Sequence, residues 1–320
     1  MLGEGGLELQ VDATARALEE RGHHLVRVAN APRDEQLDVL HAFGSEPDIW
    51  HLLRNWRRNG CKLVITPVIS ISTPFERVAL GISARLPGVI SSARMRRELL
   101  DSADAVVALT QYERRLVETV LGAARGNVVV IGNGVEPPTE ANRRRSPTNA
   151  VAPYAVMVGR VSHWKRQVEV LDAVGPAFSL LVVGDIERGM DQDEFTRRIR
   201  AANARWLGYV DDRCELWAIV EHASALVHLS RGEVQSLAVL EALSVATPVL
   251  LSDIPPHREL RDTYPDWVYL VTELENVLPT LEQIAHTDPA PEAPSIPTMD
   301  EIAVRLEQLY AAVTKSDARG

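Results

Sequence analysis

A chain of 320 residues, 46% hydrophobic and 24% charged, suits two globular domains that each bury a core. Its net charge of −10 argues against a nucleic-acid binder, and no apolar run approaches the roughly 20 residues that span a bilayer. The opening residues lack the basic-then-apolar pattern of a signal peptide, and Cys61 and Cys214 fit no metal or redox spacing, so they read as buried thiols of a reducing, cytoplasmic compartment.

In chain order, a glycine loop, Gly3-Glu4-Gly5-Gly6, comes first; alone it is a weak phosphate-binding signal. Apolar residues at Leu7, Val11, Ala15 and Leu18 predict a helix from about Glu8 to Arg21, stopped by Gly22. Short β-rich runs predict strands at Leu25–Ala29, Lys62–Val68, Ala105–Leu109 and Val128–Ile131, with a helix from Gln111 to Leu121 ending at Gly122. Two arginine clusters, Arg54, Arg57, Arg58 and Arg94, Arg96, Arg97, leave peripheral contact with a membrane or other anionic surface open, although solvated helix faces account for them more simply. Ile131-Gly132-Asn133-Gly134-Val135 reads as a tight turn with positive φ, facing a cleft.

Residues 136–153 combine prolines, polar residues and the triplet Arg143–Arg145 without a periodic apolar face, as an interdomain linker does. Beyond it the pattern restarts, with strands predicted at Tyr154–Gly159, Leu180–Gly184, Ala225–Leu229 and Pro248–Leu251, and helices over 164–174, 211–222 and 236–245. A second proline-rich stretch, 288–297, precedes a last helix from about Met299 to Val313. The expected domains are 1–140, a linker at 141–153, and 154–298. A C-terminal helical segment, 299–320, is free to pack back on the first domain. Charge divides unevenly: residues 1–149 carry 19 Lys+Arg against 18 Asp+Glu, and residues 150–320 carry 15 against 26. Alternating strands and helices mean parallel sheets, whose ligands bind at the carboxyl ends of the strands.

Two segments of the second half carry chemistry. Gly159 ends a strand, where a ligand can approach the backbone closely, and Arg160 and Lys165 offer two cations suited to a diphosphate. Glu233 and Glu241 flank seven residues that begin a helix. Ser236 is its candidate N-cap, leaving the N–H groups near Ser236 and Leu237 for phosphate oxygens. Glu241 lies on the order of 7 Å further along the axis, a suitable offset for ribose hydroxyls. Asp191-Gln192-Asp193 has the form of a metal-binding carboxylate pair but sits where a helix opens, so no metal is expected.

Taken together and in order, these segments resemble glycosyltransferase family 4 of the GT-B type. The resemblance runs through the glycine loop, Arg21-Gly22-His23, Asp104 to Thr110, Val130 to Val135, Gly159-Arg160 with Lys165, Leu207-Gly208-Tyr209-Val210, Glu233 to Glu241 and Thr247-Pro248-Val249. It implies two Rossmann-like parallel-sheet domains facing a central cleft, an α/β fold. It implies a retaining, metal-independent transfer of a sugar from a nucleotide-diphosphate donor, with no cofactor, to a saccharide, lipid-linked or small-molecule acceptor. Arg160 and Lys165 would neutralise the diphosphate, Glu233 would contact the transferred sugar, and Glu241 would hold the ribose. Ser236 and Leu237 would offer backbone donors; Gly159, Tyr209 and Val210 would line the donor side; Gly5 and Gly6 would approach the phosphate from the first domain.

Three departures qualify this. The family's first strand, before the glycine loop, has no counterpart here. No histidine follows the strand at 62–68, which leaves His51 as the candidate sugar contact. Val234 and Ser236 replace glycines and narrow the sugar pocket. The alternatives are a catalytically weak nucleotide-sugar-binding or scaffold relative, and a GT-B sugar phosphorylase or epimerase.

Overall fold

The computed structural model of the protein describes residues 6–27, 36–46, 53, 60–71, 73–86, 90–124, 126–138, 153–287 and 292–315. Contacts divide the chain into two compact units, one holding Val135–Gly232 and Ser236–Ile296, the other Gly6–Gly134, Glu233–Gln235 and Pro297–Gly320.

The unit that starts at Gly6 opens with helix α1, Gly6–Glu20, which stops before Gly22 at φ +92°. Its sheet is four parallel strands in the order β1-β2-β3-β4: Val39–Phe43, Lys62–Thr66, Ala105–Ala108 and Val128–Val130. Helices α2 (Pro74–Ser83) and α3 (Ser92–Asp101) follow β2, and α4 (Gln111–Arg115), extended by a π turn over Leu116–Leu121, follows β3. Local chemistry sets these starts. Thr73 and Glu76 form a reciprocal capping box, and Ser91 and Thr110 each cap through a side-chain oxygen. Gly122, at φ +72°, ends the π turn. Leu63, Ile65, Leu99, Leu100, Val106 and Leu116 bury one continuous core between sheet and helices.

Two expectations fail here. Leu25–Arg27 form no strand, and Ala29 lies outside the described residues. The first described strand is instead Val39–Phe43, whose sequence Val-Leu-His-Ala-Phe carries a polar residue at its centre. The turn at 131–135 needs glycine for space rather than for positive φ. Neither Gly132 nor Gly134 has one, but a Cβ on Gly134 would lie 2.6 Å from the Thr298 carbonyl oxygen.

The other unit has six parallel strands in the order β10-β9-β8-β5-β6-β7. They are β5 (Tyr154–Val158), β6 (Ser179–Val183), β7 (Arg205–Trp206), β8 (Ala225–His228), β9 (Val249–Ser252) and β10 (Val268–Val271). The helices between them are α5 (Gln167–Val174), α6 (Gln192–Ala201), α7 (Arg213–Glu221), α8 (Leu237–Ser244), α9 (Pro255–Thr263) and α10 (Val277–His286). Side chains alternate between two cores: Val156, Leu226 and Leu251 enter one, Met157, Val227 and Leu250 the other. A sheet covered on both faces requires such all-apolar strands. The chain runs out to β7 and returns to β8 beside β5, so the strand order reverses between β5 and β8. Open α/β sheets bind ligands at the carboxyl side of such a switch point.

The last helix, α11 (Met299–Lys315), belongs to the unit that starts at Gly6. Met299 and Ala303 pack on Ala17 and Leu18 of α1, and Ile302 and Leu306 on Val64, Val107 and Ile131. Arg21 bridges Asp300 and Glu307, each at 2.8 Å. Inside the unit, the ring of His41 is held between the Tyr310 hydroxyl at Nδ1, 2.6 Å, and Thr66 Oγ1 at Nε2, 2.8 Å. Burial drives the His41 pKa down to about 3. Tyr310→Phe should therefore cost about 1–2 kcal/mol, because it strips a partner from a buried imidazole nitrogen. Urea unfolding measures this; an unchanged midpoint would mean that the hydrogen bond contributes nothing.

Candidate functional site

The site is built where β5 and β6 leave their sheet. Gly159 and Gly184 have φ of +129° and +134°, and a Cβ on Gly184 would fall 2.2 Å from the Gly159 carbonyl oxygen. Glycine is thus required at 159 by backbone angle and at 184 by space as well. Exposed Arg160 follows, its carbonyl accepting from Gln167 Nε2 at 3.0 Å. Ser162 then folds the chain into a turn, its hydroxyl accepting from the Lys165 N–H at 3.2 Å. The Trp164 indole donates to the Gly232 carbonyl at 2.7 Å, and the Arg231 N–H to the Trp164 carbonyl at 2.9 Å.

These bonds carry Lys165 across from β5 to the end of β8, where Nζ lies 3.5 Å from His228 Nε2. His228 is buried, with the Ser230 hydroxyl 3.1 Å from the same nitrogen. Ser252 at the end of β9 donates to the Ser230 carbonyl at 2.7 Å, and His257 Nδ1 lies 2.8 Å from the Ser252 carbonyl. A row of polar groups thus lines the carboxyl ends of β5, β8 and β9.

Helix α8 begins from the same edge. Ser236 occupies the cap position at φ −76°, ψ 124°, but its side chain makes no capping bond, so the first-turn N–H groups are left to another acceptor. Glu241 lies on the same helix, bonded to Arg213 of α7. Burial pushes its pKa up, and the Arg213 guanidinium pulls the other way. Arg213 itself lies 5.6 Å over the Trp217 ring. Half-exposed Tyr209 and Val210 stand beyond β7, after Gly208 at φ +68°.

One unit therefore holds Gly159, Arg160, Lys165, Tyr209, Val210, Ser236, Leu237 and Glu241. Glu233 belongs to the other, within the segment Glu233–Gln235, where Gln235 Oε1 accepts from the Asn133 N–H at 2.6 Å. Gly6 is the first residue of α1 in that unit. Gly5, His51, Arg54, Arg57, Arg58 and the triplet at 143–145 lie outside the described residues. Arg94, Arg96 and Arg97 are ion-paired with Glu98, Glu46 and Asp101, which takes from that cluster most of its attraction for an anionic surface. Asp191 caps α6, accepting from the N–H groups of Asp193 and Glu194. Cys61 is buried as expected, but Cys214 is only half-buried.

Three site residues escaped the sequence reading. His228 could have been found as a polar residue closing an otherwise apolar strand. Arg213 could have been noticed as a cation in the first turn of a helix, where the macrodipole disfavours it. Trp164 gave no signal, because its indole bond joins residues 68 apart.

Comparison with known proteins fits this geometry. The model of "Glycosyl transferases group 1" matches residues 138–265, and that of "Glycosyl transferase 4-like domain" matches residues 24–134. The serotype-specific mannosyltransferase WbdA of Escherichia coli is 28% identical over 43% of this chain, a match that spans only 19% of that relative's length. Among solved structures, Anabaena Alr3699/HepE in complex with UDP-glucose superposes with a TM-score of 0.60 at 17% identity, over 88% of this chain and 79% of that one. WaaG, a glycosyltransferase involved in lipopolysaccharide biosynthesis, superposes with a TM-score of 0.60 at 15% identity, over 98% and 93%. At these identities the structures speak for the fold, which is GT-B, while the two family models between them take in most of the sequence. The chain belongs to the family 4 type of GT-B glycosyltransferases.

Proposed function

We propose that this chain moves a sugar, with retention of configuration, from a nucleoside-diphosphate donor to a saccharide, lipid-linked or small-molecule acceptor. The observation that carries the reading is that Lys165, the uncapped start of α8 and the half-buried carboxylate of Glu241 all belong to the side of the sheet where β5 and β8 end. A diphosphate there meets the Arg160 and Lys165 cations and the N–H groups of Ser236 and Leu237. Glu241 exchanges Arg213 for the ribose hydroxyls, and the base lies along the backbone near Tyr209 and Val210. Gly159 leaves the backbone open to the donor.

In transfer, the bond between the anomeric carbon and the diphosphate oxygen breaks and its electron pair stays on the diphosphate. Cations fixed beforehand at that oxygen stabilise the developing charge more than the ground state, and so lower the barrier. The acceptor hydroxyl bonds to the anomeric carbon on the face that the diphosphate leaves, and its proton passes to the departing oxygen. No protein nucleophile and no metal enters this scheme.

Because the Anabaena neighbour was solved with UDP and with UDP-glucose, uridine donors head a thermal-shift series that also includes GDP, ADP, dTDP and their sugar conjugates. One base should stabilise the protein, by about 2.7 kcal/mol when the ligand is 100-fold above its Kd. Glu241→Ala should remove that gain. Stabilisation by no nucleotide, or an undiminished gain in the variant, would sink the reading. The anomeric coupling in the NMR spectrum of the product decides between retention and inversion.

A further inference from the structure

Gln167 opens α5 on the face that packs inward. It shares that face with Val170, Leu171 and Val174, which follow at helical intervals and are buried with it, and it is only 3% exposed. An aliphatic side chain would suit the position better, because a buried amide costs free energy unless it is hydrogen-bonded. The amide is bonded, and both bonds run back to the loop that carries the two donor-site cations. Nε2 donates to the Arg160 carbonyl at 3.0 Å, and Oε1 accepts from the Ser162 N–H at 3.2 Å. One side chain therefore holds the backbone on both sides of Val161.

Val161 is itself fixed. Its side chain is fully buried, its N–H donates to the Asp185 carbonyl at 2.8 Å, and its carbonyl accepts from the Glu187 N–H at 2.9 Å. Ser162 then turns the chain, its carbonyl accepting from the N–H groups of Lys165 and Arg166, both at 3.1 Å. Arg166 closes the loop at φ +60° and ψ 26°. That left-handed conformation is costly for an arginine and persists only where surrounding contacts over-determine it. Those contacts are the turn at Ser162 and the Gln167 amide. The segment that presents Arg160 and Lys165 is thus bonded to Gln167 where it begins and leads into it through Arg166 where it ends.

We propose that Gln167 is a positioning residue for sugar transfer, its side-chain amide setting the loop from which Arg160 and Lys165 meet the donor diphosphate. The proposal rests on the donor-site reading and adds to it a residue that touches no substrate. Gln167 acts only through the two cations, so its contribution belongs to the transition state, where charge on the leaving diphosphate grows.

Gln167→Met keeps the length and volume of the side chain and removes both bonds, so the inner face of α5 stays filled. Steady-state kinetics with the donor found by thermal shift should show kcat falling by on the order of 10–100-fold, as a misplacement of roughly 1 Å costs, with KM changed far less. A double-mutant cycle with Lys165→Ala supplies a readout that a merely structural role would not move. Because Gln167 works through the cations, the double variant should lose clearly less in kcat than the product of the two single losses. Melting temperature and the nucleotide-dependent thermal shift of Gln167→Met show that it is folded and still binds. Wild-type kcat in Gln167→Met, with or without a lower melting temperature, would overturn the proposal. So would single losses that multiply in the double variant, or a loss confined to KM. None of these results touches the donor-site reading, which falls instead if no nucleotide stabilises the wild type.

Discussion

Lys165→Ala should lower kcat by on the order of 10²–10³ while leaving the melting temperature nearly unchanged. The ammonium is placed by a turn that Ser162, Trp164 and Arg231 tie to the end of β8, so it is held in position before the donor arrives. Preorganised charge at the leaving diphosphate acts mainly in the transition state, and the effect should therefore fall on kcat more than on KM. Lys165→Arg should not restore activity, because a planar fork cannot reproduce a compact ammonium 3.5 Å from His228 Nε2. Steady-state kinetics with the donor found by thermal shift makes the measurement. A variant with wild-type kcat would remove Lys165 from the mechanism.

Glu113→Ala should produce the largest loss of stability, about 3–5 kcal/mol, by orphaning buried backbone donors. The fully buried carboxylate at the start of α4 accepts from the Ile69 N–H through one oxygen and from the Leu109 N–H through the other, both at 2.7 Å. It thereby ties together the chain leaving β2 and β3, next to Val68 at φ +51°. Burial pushes the Glu113 pKa up from 4.5 to about 7, against the pull of the N–H groups of Leu109, Ile69 and Val68. A carboxyl with a raised folded pKa binds more protons folded than unfolded. Its contribution is complete below pH 4.5 and is lost as the pH rises through about 7. The loss across that window amounts to roughly 3 kcal/mol. Denaturant unfolding at pH 5 and pH 8 should show the wild type losing stability, and Glu113→Gln losing less. Equal slopes in the two proteins would refute the assignment to Glu113.

Glu113 also illustrates how far the residue pattern reaches. The helix it begins is legible, because Thr110 offers a cap and Leu116 and Leu121 supply an apolar face. Nothing in the spacing shows that the carboxylate turns inward to two loops, one of them 44 residues away. The strands of the six-stranded sheet divide in the same way. Apart from Ser179, His228 and Ser252 at strand ends, β5, β6, β8 and β9 are continuous apolar runs, as burial on both faces demands. β7 is only two residues long, too short to give any periodicity, and is held by register against β6. In the other unit, β1 carries a histidine whose Nδ1 meets its partner only when α11 brings Tyr310 to it.

What the sequence determined by itself was everything carried by local chemistry: the α/β class, most strand and helix positions and the glycine exit at 159. Each depends on periodicity, capping or backbone freedom within a few residues. Tertiary structure alone decided that Arg213 covers Glu241, that His228 meets Lys165, and that Glu233 packs in a different unit from Glu241. Those outcomes join residues far apart in the chain, and distant contacts leave no period in a sequence from which they could be read.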